Sequence, residues 1–371
     1  MRKSIAIIIT SILVLSGCNK QQSVSDRLLN EVGKAIAINP DSASNLLKGI
    51  SSPEKLDNKT FARWCMLSGK ITDEIFNSIL PTYQLERAYD WYSSHGSPDE
   101  QVQILIYLGR SYFADGDYDK AMSIYTNALD IAEKNKLNNL TGYTYSYIGD
   151  LYGEKFMRTE AIKRYKAAAE CFKKENNTDS YACALRDVGR EYACIDSLSR
   201  ALKILTIADS VARNTKNIEV TASIDNALGN IYAMQNKYDK AEEYFLKALV
   251  GRETMPDYMA LIDLYIASGA INKAQELLSK IPQDNPKYTY SIKYLYYQIY
   301  NEEKNYKEAL TNLKEYVEIT DSIIYADNQS KILNIESKYN HLKISKEVDR
   351  LKIKQQSYII VLVICIGILL L

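Results

Sequence analysis

The chain has 371 residues, and its 46 Lys and Arg balance its 46 Asp and Glu, so it lacks the basic excess that nucleic-acid phosphates select. Its two histidines, His95 and His341, lie far apart in sequence, which leaves little for a Ser-His or Cys-His pair. The glycines stand singly rather than in a phosphate-cradling turn, and no two cysteines have C-x-x-C spacing. Non-enzymatic work without a cofactor or metal is the expectation, and no nucleic acid is expected as a partner of this chain.

From the N-terminus, Arg2 and Lys3 precede an apolar stretch, Ile5 to Leu13, and then Leu15-Ser16-Gly17-Cys18. A charged start and an apolar core make residues 1–17 a targeting segment. The tetrad resembles the lipobox of bacterial lipoproteins. That resemblance implies a Cys18 thiol that accepts diacylglycerol and becomes the new N-terminus; the alternative is an ordinary signal peptide with an incidental cysteine. The expected location is the cell envelope, on the periplasmic side of the inner membrane, held by acyl chains whose buried CH₂ groups contribute about 0.8 kcal/mol each.

Residues 18–100 read as degenerate helical repeats, with Ala43 and Leu47, then Ala88 and Tyr92, on second helices. The clear array runs over residues 101–321. In it Leu108-Gly109-x-x-Tyr112, Ile148-Gly149-x-x-Tyr152, Val188-Gly189-x-x-Tyr192 and Leu228-Gly229-x-x-Tyr232 recur every 40 residues. Each copy is followed by a small residue (Ala121, Ala161, Ala201, Ala241), a large apolar one (Tyr125, Tyr165, Leu205, Phe245) and another Ala (Ala128, Ala168, Ala208, Ala248). The pattern predicts two helices per unit that meet at small residues, with copies stacked because no unit buries its apolar face alone. Two weaker units follow, at Tyr265, Ala274 and Leu278 and at Tyr300, Ala309 and Leu313.

These residues make the chain resemble the tetratricopeptide-repeat family, and its period resembles the longer-helix branch of that family rather than the usual spacing of about 34 residues. The resemblance implies an all-α, right-handed superhelix, a single body from about Ser25 to Asp321, with a concave groove lined by the first helices. Carrying the lining positions over gives Gln103, Ile106, Arg110 and Phe113, then Tyr143, Ser146, Asp150 and Glu154. Next come Arg186 and Arg190, then Asn226, Asn230 and Met234, and finally Met259 and Asp263. Arg110, Asp150, Arg186, Arg190, Asn226 and Asn230 are the candidate partner-binding residues. The Arg and Asn cluster resembles the carboxylate-clamping grooves of some adaptors, since Arg offers a bidentate fork, but lysines are missing from the clamp positions. A solvated groove with Arg186 and Arg190 paired internally to Asp150 or Asp263 is the competing reading. A protein or peptide is the expected partner.

Residues 322–357 read as a capping or stalk helix, with Ile332, Ile335, Tyr339 and Leu342 at heptad spacing before the stripe shifts. It either covers the last repeat or supplies a homodimer contact. Residues 358–371 are apolar and read as a membrane segment, yet fourteen residues reach only about 21 Å of a hydrocarbon layer about 30 Å thick. They either dip into the bilayer or begin a longer span. Membrane attachment is thus expected at both ends, through lipidated Cys18 and through this apolar helix. The whole layout resembles membrane-tethered repeat proteins of Bacteroides-type bacteria. That resemblance implies an alternative role as the sensor part of a membrane-bound regulator whose cytoplasmic output segment is not in this chain.

Thirty tyrosines against six phenylalanines supply ring packing with a polar tip, or a contact surface at Tyr288, Tyr290, Tyr294 and Tyr296. Cys183 and Cys194 share a helix about 16 Å apart, too far for a bridge. Cys171 and Cys183 either approach one another or remain buried free thiols.

Overall fold

The computed structural model describes residues 25–75, 79–283 and 287–325, with the isolated positions 329, 350, 353, 354 and 357. Cys18, the apolar segment 358–371 and most of the stalk lie outside the described residues. Among the described residues all regular structure is helical, and no helix is long and apolar enough to cross a membrane.

The chain divides after Gln283 into two compact units, so the last helical pair of the expected array belongs to the second. Pro282 and Pro286 bracket the division in sequence, and a proline cannot donate the N–H that would continue a helix. The first unit holds α1 (25–35), α2 (Pro40–Lys48), α3 (Asn58–Ile75), α4 (Thr82–His95), α5 (Pro98–Ala114), α6 (Tyr118–Lys134) and α7 (Asn138–Glu154). It continues with α8 (Arg158–Lys174), α9 (Thr178–Cys194), α10 (Leu198–Ala212), α11 (Ile218–Met234), α12 (Tyr238–Gly251), α13 (Met255–Ala267) and α14 (Ile271–Lys280). The second unit holds α15 (Thr289–Glu302) and α16 (306–325), where Tyr290 and Tyr294 both face Tyr316.

Helix ends keep a strict rhythm. Gly116, Lys136, Phe156, Asn176, Asp196 and Asn236 all take positive φ, spaced by twenty residues except at the α10–α11 connection, where none falls. Each left-handed residue lets the next N–H turn back to a carbonyl of the last helical turn, as from Asp117 to Tyr112 (2.9 Å), Met157 to Tyr152 (2.8 Å) and Lys237 to Tyr232 (2.9 Å). Several starts are capped by side chains: Asp117 accepts from the Lys120 N–H, Asn177 from that of Ser180 and Asn217 from that of Val220.

The helices of each pair interlock where the sequence places glycine. A Cβ added at Gly149 would stand 2.7 Å from the Tyr165 ring, at Gly189 2.6 Å from Leu205 and at Gly229 2.6 Å from Phe245; at Gly109 it would overlap the Tyr125 ring. Each glycine thus accepts the large apolar residue sixteen positions on. Ala121, Ala161, Ala201 and Ala241 are fully buried, as are Ala128, Ala168, Ala208 and Ala248. The weaker units follow suit, with Ala274, Leu278 and Ala309 buried and left-handed turns at Gly269 and Lys304. Upstream, Ala43, Leu47, Ala88 and Tyr92 are buried as well. Burial of such apolar surface, at about 25 cal/mol per Å², is what holds one pair against the next.

Candidate groove along the first helices

α5, α7, α9 and α11 expose one side each to a row of three openings. The first, about 450 Å³, is lined by Asp73, Gln103, Ile106, Arg110, Tyr143 and Tyr147. Phe113, Ser146, Asp150, Glu154 and Phe156 line the second, about 490 Å³, and Ser223, Asn226, Asn230, Met234 and Arg252 the third, about 500 Å³. Arg186 and Arg190 border both the second and the third. Arg110 and Asp150 therefore sit in separate openings, while Arg186, Arg190, Asn226 and Asn230 come together in one. Met259 and Asp263 line none of the three.

The polar groups of the groove are largely committed to one another. Arg110 pairs with Asp73 and lies over the Tyr147 ring, 5.5 Å from its centre. Burial by itself disfavours its charge, but Tyr147 and Asp73 outweigh that and raise its pKa. Arg186 gives its fork to the adjacent Asp187, at 2.9 and 3.1 Å, and a third N–H to Ser223 at 3.0 Å. Asp187 is the main reason the Arg186 pKa is raised, against burial. The expected free clamp is thus closed at Arg186. Internal pairing does occur, with Asp187 as the partner rather than Asp150 or Asp263.

Arg190 differs. Its side chain is 66% exposed and its nearest carboxylate contact is a long 3.8 Å to Asp187. Asn230 donates to Asn226, which donates in turn to Asp257 at 2.9 Å. Asp257 is fully buried, gripped by Arg252 at 3.0 and 3.1 Å and by the Thr254 hydroxyl. This carboxylate anchors the third opening to the start of α13. Asp150 accepts from the Tyr165 hydroxyl at 2.6 Å. Burial pushes its pKa up to about 6, with Asp187 adding to the rise and Tyr165, Arg186 and Arg190 opposing it.

Three features of the groove were not foreseen. Asp187 escaped notice because neighbours one apart on a helix do not ordinarily face each other. Asp257 lies off the repeat register. Phe156 is 79% exposed with φ of 58°, an uncommon conformation for a bulky side chain, and projects where the second opening begins. A left-handed turn every twenty residues could have located it. Cys65, Cys171, Cys183 and Cys194 are free thiols, so the bridge considered between Cys171 and Cys183 is not formed. Among the described residues no cluster of three His, Cys, Asp or Glu side chains could hold a metal ion.

Residues 100–174 and 221–255 each match a family model described as tetratricopeptide repeat. The chain carries tetratricopeptide repeats. No curated protein matches it. Among solved structures, the tetratricopeptide array is similar to a Rap protein complexed with competence and sporulation factor, at 18% identity and a TM-score of 0.63, over 82% of this chain and 88% of that one. It is similar to NprR in complex with its cognate peptide NprX, at 15% identity and a TM-score of 0.51, over 84% and 97%. A tetratricopeptide repeat protein from Parabacteroides merdae is similar at 15% identity and a TM-score of 0.50, over 73% and 99%. At these identities the likeness shows the fold alone.

Proposed function

We infer that the groove along α5, α7, α9 and α11 binds a protein or peptide partner without catalysis. The observation that carries this reading is Arg190, a largely unspent guanidinium at the border of two openings, flanked by an Asn pair fixed through buried Asp257. Such a cation with neighbouring amide groups suits a polypeptide carboxylate and backbone. Exposed Phe156 and Met234 add apolar contacts along the same row. The Rap and NprR structures, solved with competence and sporulation factor and with the peptide NprX, support a peptide-sized partner on this fold. The proposal extends to place: a scaffold lipidated at Cys18 and facing the envelope, resting on Leu15-Ser16-Gly17-Cys18.

A photo-crosslinking amino acid at Met234, within the third opening, should trap a discrete polypeptide in the native host, whereas one at Lys203, exposed on α10, should not. Loss of a charge-assisted contact costs about 1.5–3 kcal/mol, so Arg190→Ala should weaken trapping about tenfold or more. Equal trapping from Lys203, or trapping indifferent to Arg190→Ala, would move binding off this groove.

A further inference from the structure

An opening of about 770 Å³ lies away from the groove, between the α10–α11 connection, α11 and α12. Comparing repeats in register shows how the chain builds it. Position 225 on α11 corresponds to 105, 145 and 185 on the earlier first helices, and there the repeats carry Leu105, Tyr145 and Leu185. The fourth carries Asp225, 2% exposed and held by Arg213 at 2.5 Å. In the second repeat the Tyr145 ring occupies that place and its hydroxyl donates to Glu133, the counterpart of Arg213, at 2.6 Å.

The rim is inverted as well. Val250 stands where the other repeats have Asp130, Glu170 and Ser210, and Leu246 where they have Thr126, Lys166 and Thr206. Ile218 replaces Pro98, Asn138 and Thr178. These three apolar side chains are exposed by 92%, 46% and 63% respectively. A carboxylate has moved inward and three aliphatic groups outward at one place, the reverse of what stacking alone selects. Of the rim charges, Arg213 is held by Asp209 and Asp225, and Lys247 by Glu243 at 2.6 Å. Lys216 has no ion-pair partner among the described residues and stands on the rim as an unpaired cation.

We propose that this opening is a docking site for a partner polypeptide that inserts an aromatic side chain beside α11 and sets an acidic residue against Lys216. The aromatic takes the place that Tyr145 fills in the second repeat, against Ile218, Leu246 and Val250. The acid pairs with Lys216, which has no ion-pair partner among the described residues.

The test uses the full chain and 1-anilinonaphthalene-8-sulfonate, whose aromatic ring and anion match that chemistry. One saturable fluorescent site is expected, and a capped Glu-Phe-Glu peptide should displace the dye while capped Glu-Ala-Glu and Lys-Phe-Lys should be at least tenfold weaker. Asp225→Tyr, which restores the ring found in the second repeat, should weaken the dye at least tenfold. Val250→Glu, a change at an exposed position, should do the same without touching the core. Lys203→Ala, at an exposed position on α10 outside this opening and the groove, should bind dye as wild type does. Dye binding that survives Asp225→Tyr and Val250→Glu overturns the site. Dye lost from both variants but not displaced by Glu-Phe-Glu overturns the polypeptide partner, and equal displacement by Lys-Phe-Lys overturns the acidic component.

Discussion

Gly229→Ala isolates the interlock between paired helices. The added methyl would lie 2.6 and 2.7 Å from two carbons of the Phe245 ring, where apolar carbons prefer about 3.5–4.0 Å, so the ring or helix must move by roughly 1 Å. Phe245 is 1% exposed, with fully buried Ala241 and Ala248 on its own helix, so it has little room to retreat. Overpacking costs about 1–3 kcal/mol, and this enclosed site belongs at the upper end. Alanine regains about 1 kcal/mol over glycine in a helix interior, leaving a net loss of about 2 kcal/mol. In a Phe245→Ala background the clash is gone and only the propensity gain remains, so the same substitution should stabilise by about 1 kcal/mol. The reversal in sign amounts to a coupling of about 3 kcal/mol, large for a single pair of contacting residues. Urea unfolding of the full chain and the three variants, followed by far-ultraviolet circular dichroism, reads all four corners of the cycle. If Gly229→Ala raises the midpoint in the wild-type background too, close approach is not why glycine stands there.

Ala241→Trp should cost roughly 1–3 kcal/mol or more at a fully buried position, whereas Lys240→Trp on the exposed side of the same turn should be near neutral, as thermal unfolding will show. Burial is the chief cause that pushes the Asp225 pKa up to about 6 from an ordinary 3.8, opposed by Arg213 and reinforced by Asp209. The folded chain therefore takes up this proton more readily than the unfolded one. Its contribution to stability is complete below about pH 3.8 and is lost as pH rises through about 6. Urea midpoints measured across that window should fall less steeply with rising pH in Asp225→Asn than in wild type; identical slopes would contradict the assignment. An alkynyl fatty acid fed to the native host should label wild type and spare Cys18→Ser, and equal labelling of both would remove the lipid anchor from the proposal.

The helix pairs were legible because glycine and its facing ring recur at a fixed offset, and only packing at van der Waals distance demands that pairing. The row of groove positions was legible for the same reason, since register alone decides which side of a helix a residue occupies. Whether Arg186 is available to a ligand was not legible. Its state depends on a side-chain rotamer that turns the guanidinium toward its immediate neighbour, and sequence spacing carries no information about that choice. Asp257 was hidden because it lies where the period shortens after α12, so no counterpart in another repeat marks it. The pocket beside Asp225 leaves its mark in the sequence as reversals of polarity at positions 218, 225, 246 and 250 rather than as a residue shared among repeats.

The twenty-residue step from one left-handed turn to the next also governs how such a chain can change length. One residue inserted within α7 would rotate the rest of that helix by about 100° and carry Gly149 away from Tyr165. Twenty residues removed would present a second helix where a first helix belongs. Forty residues added or removed would return every glycine to its ring and every turn to its place. Adding or removing whole pairs would accordingly change the length of this architecture without refolding its neighbours, and single positions within a pair can differ while the interlock holds, as position 225 does in the fourth repeat.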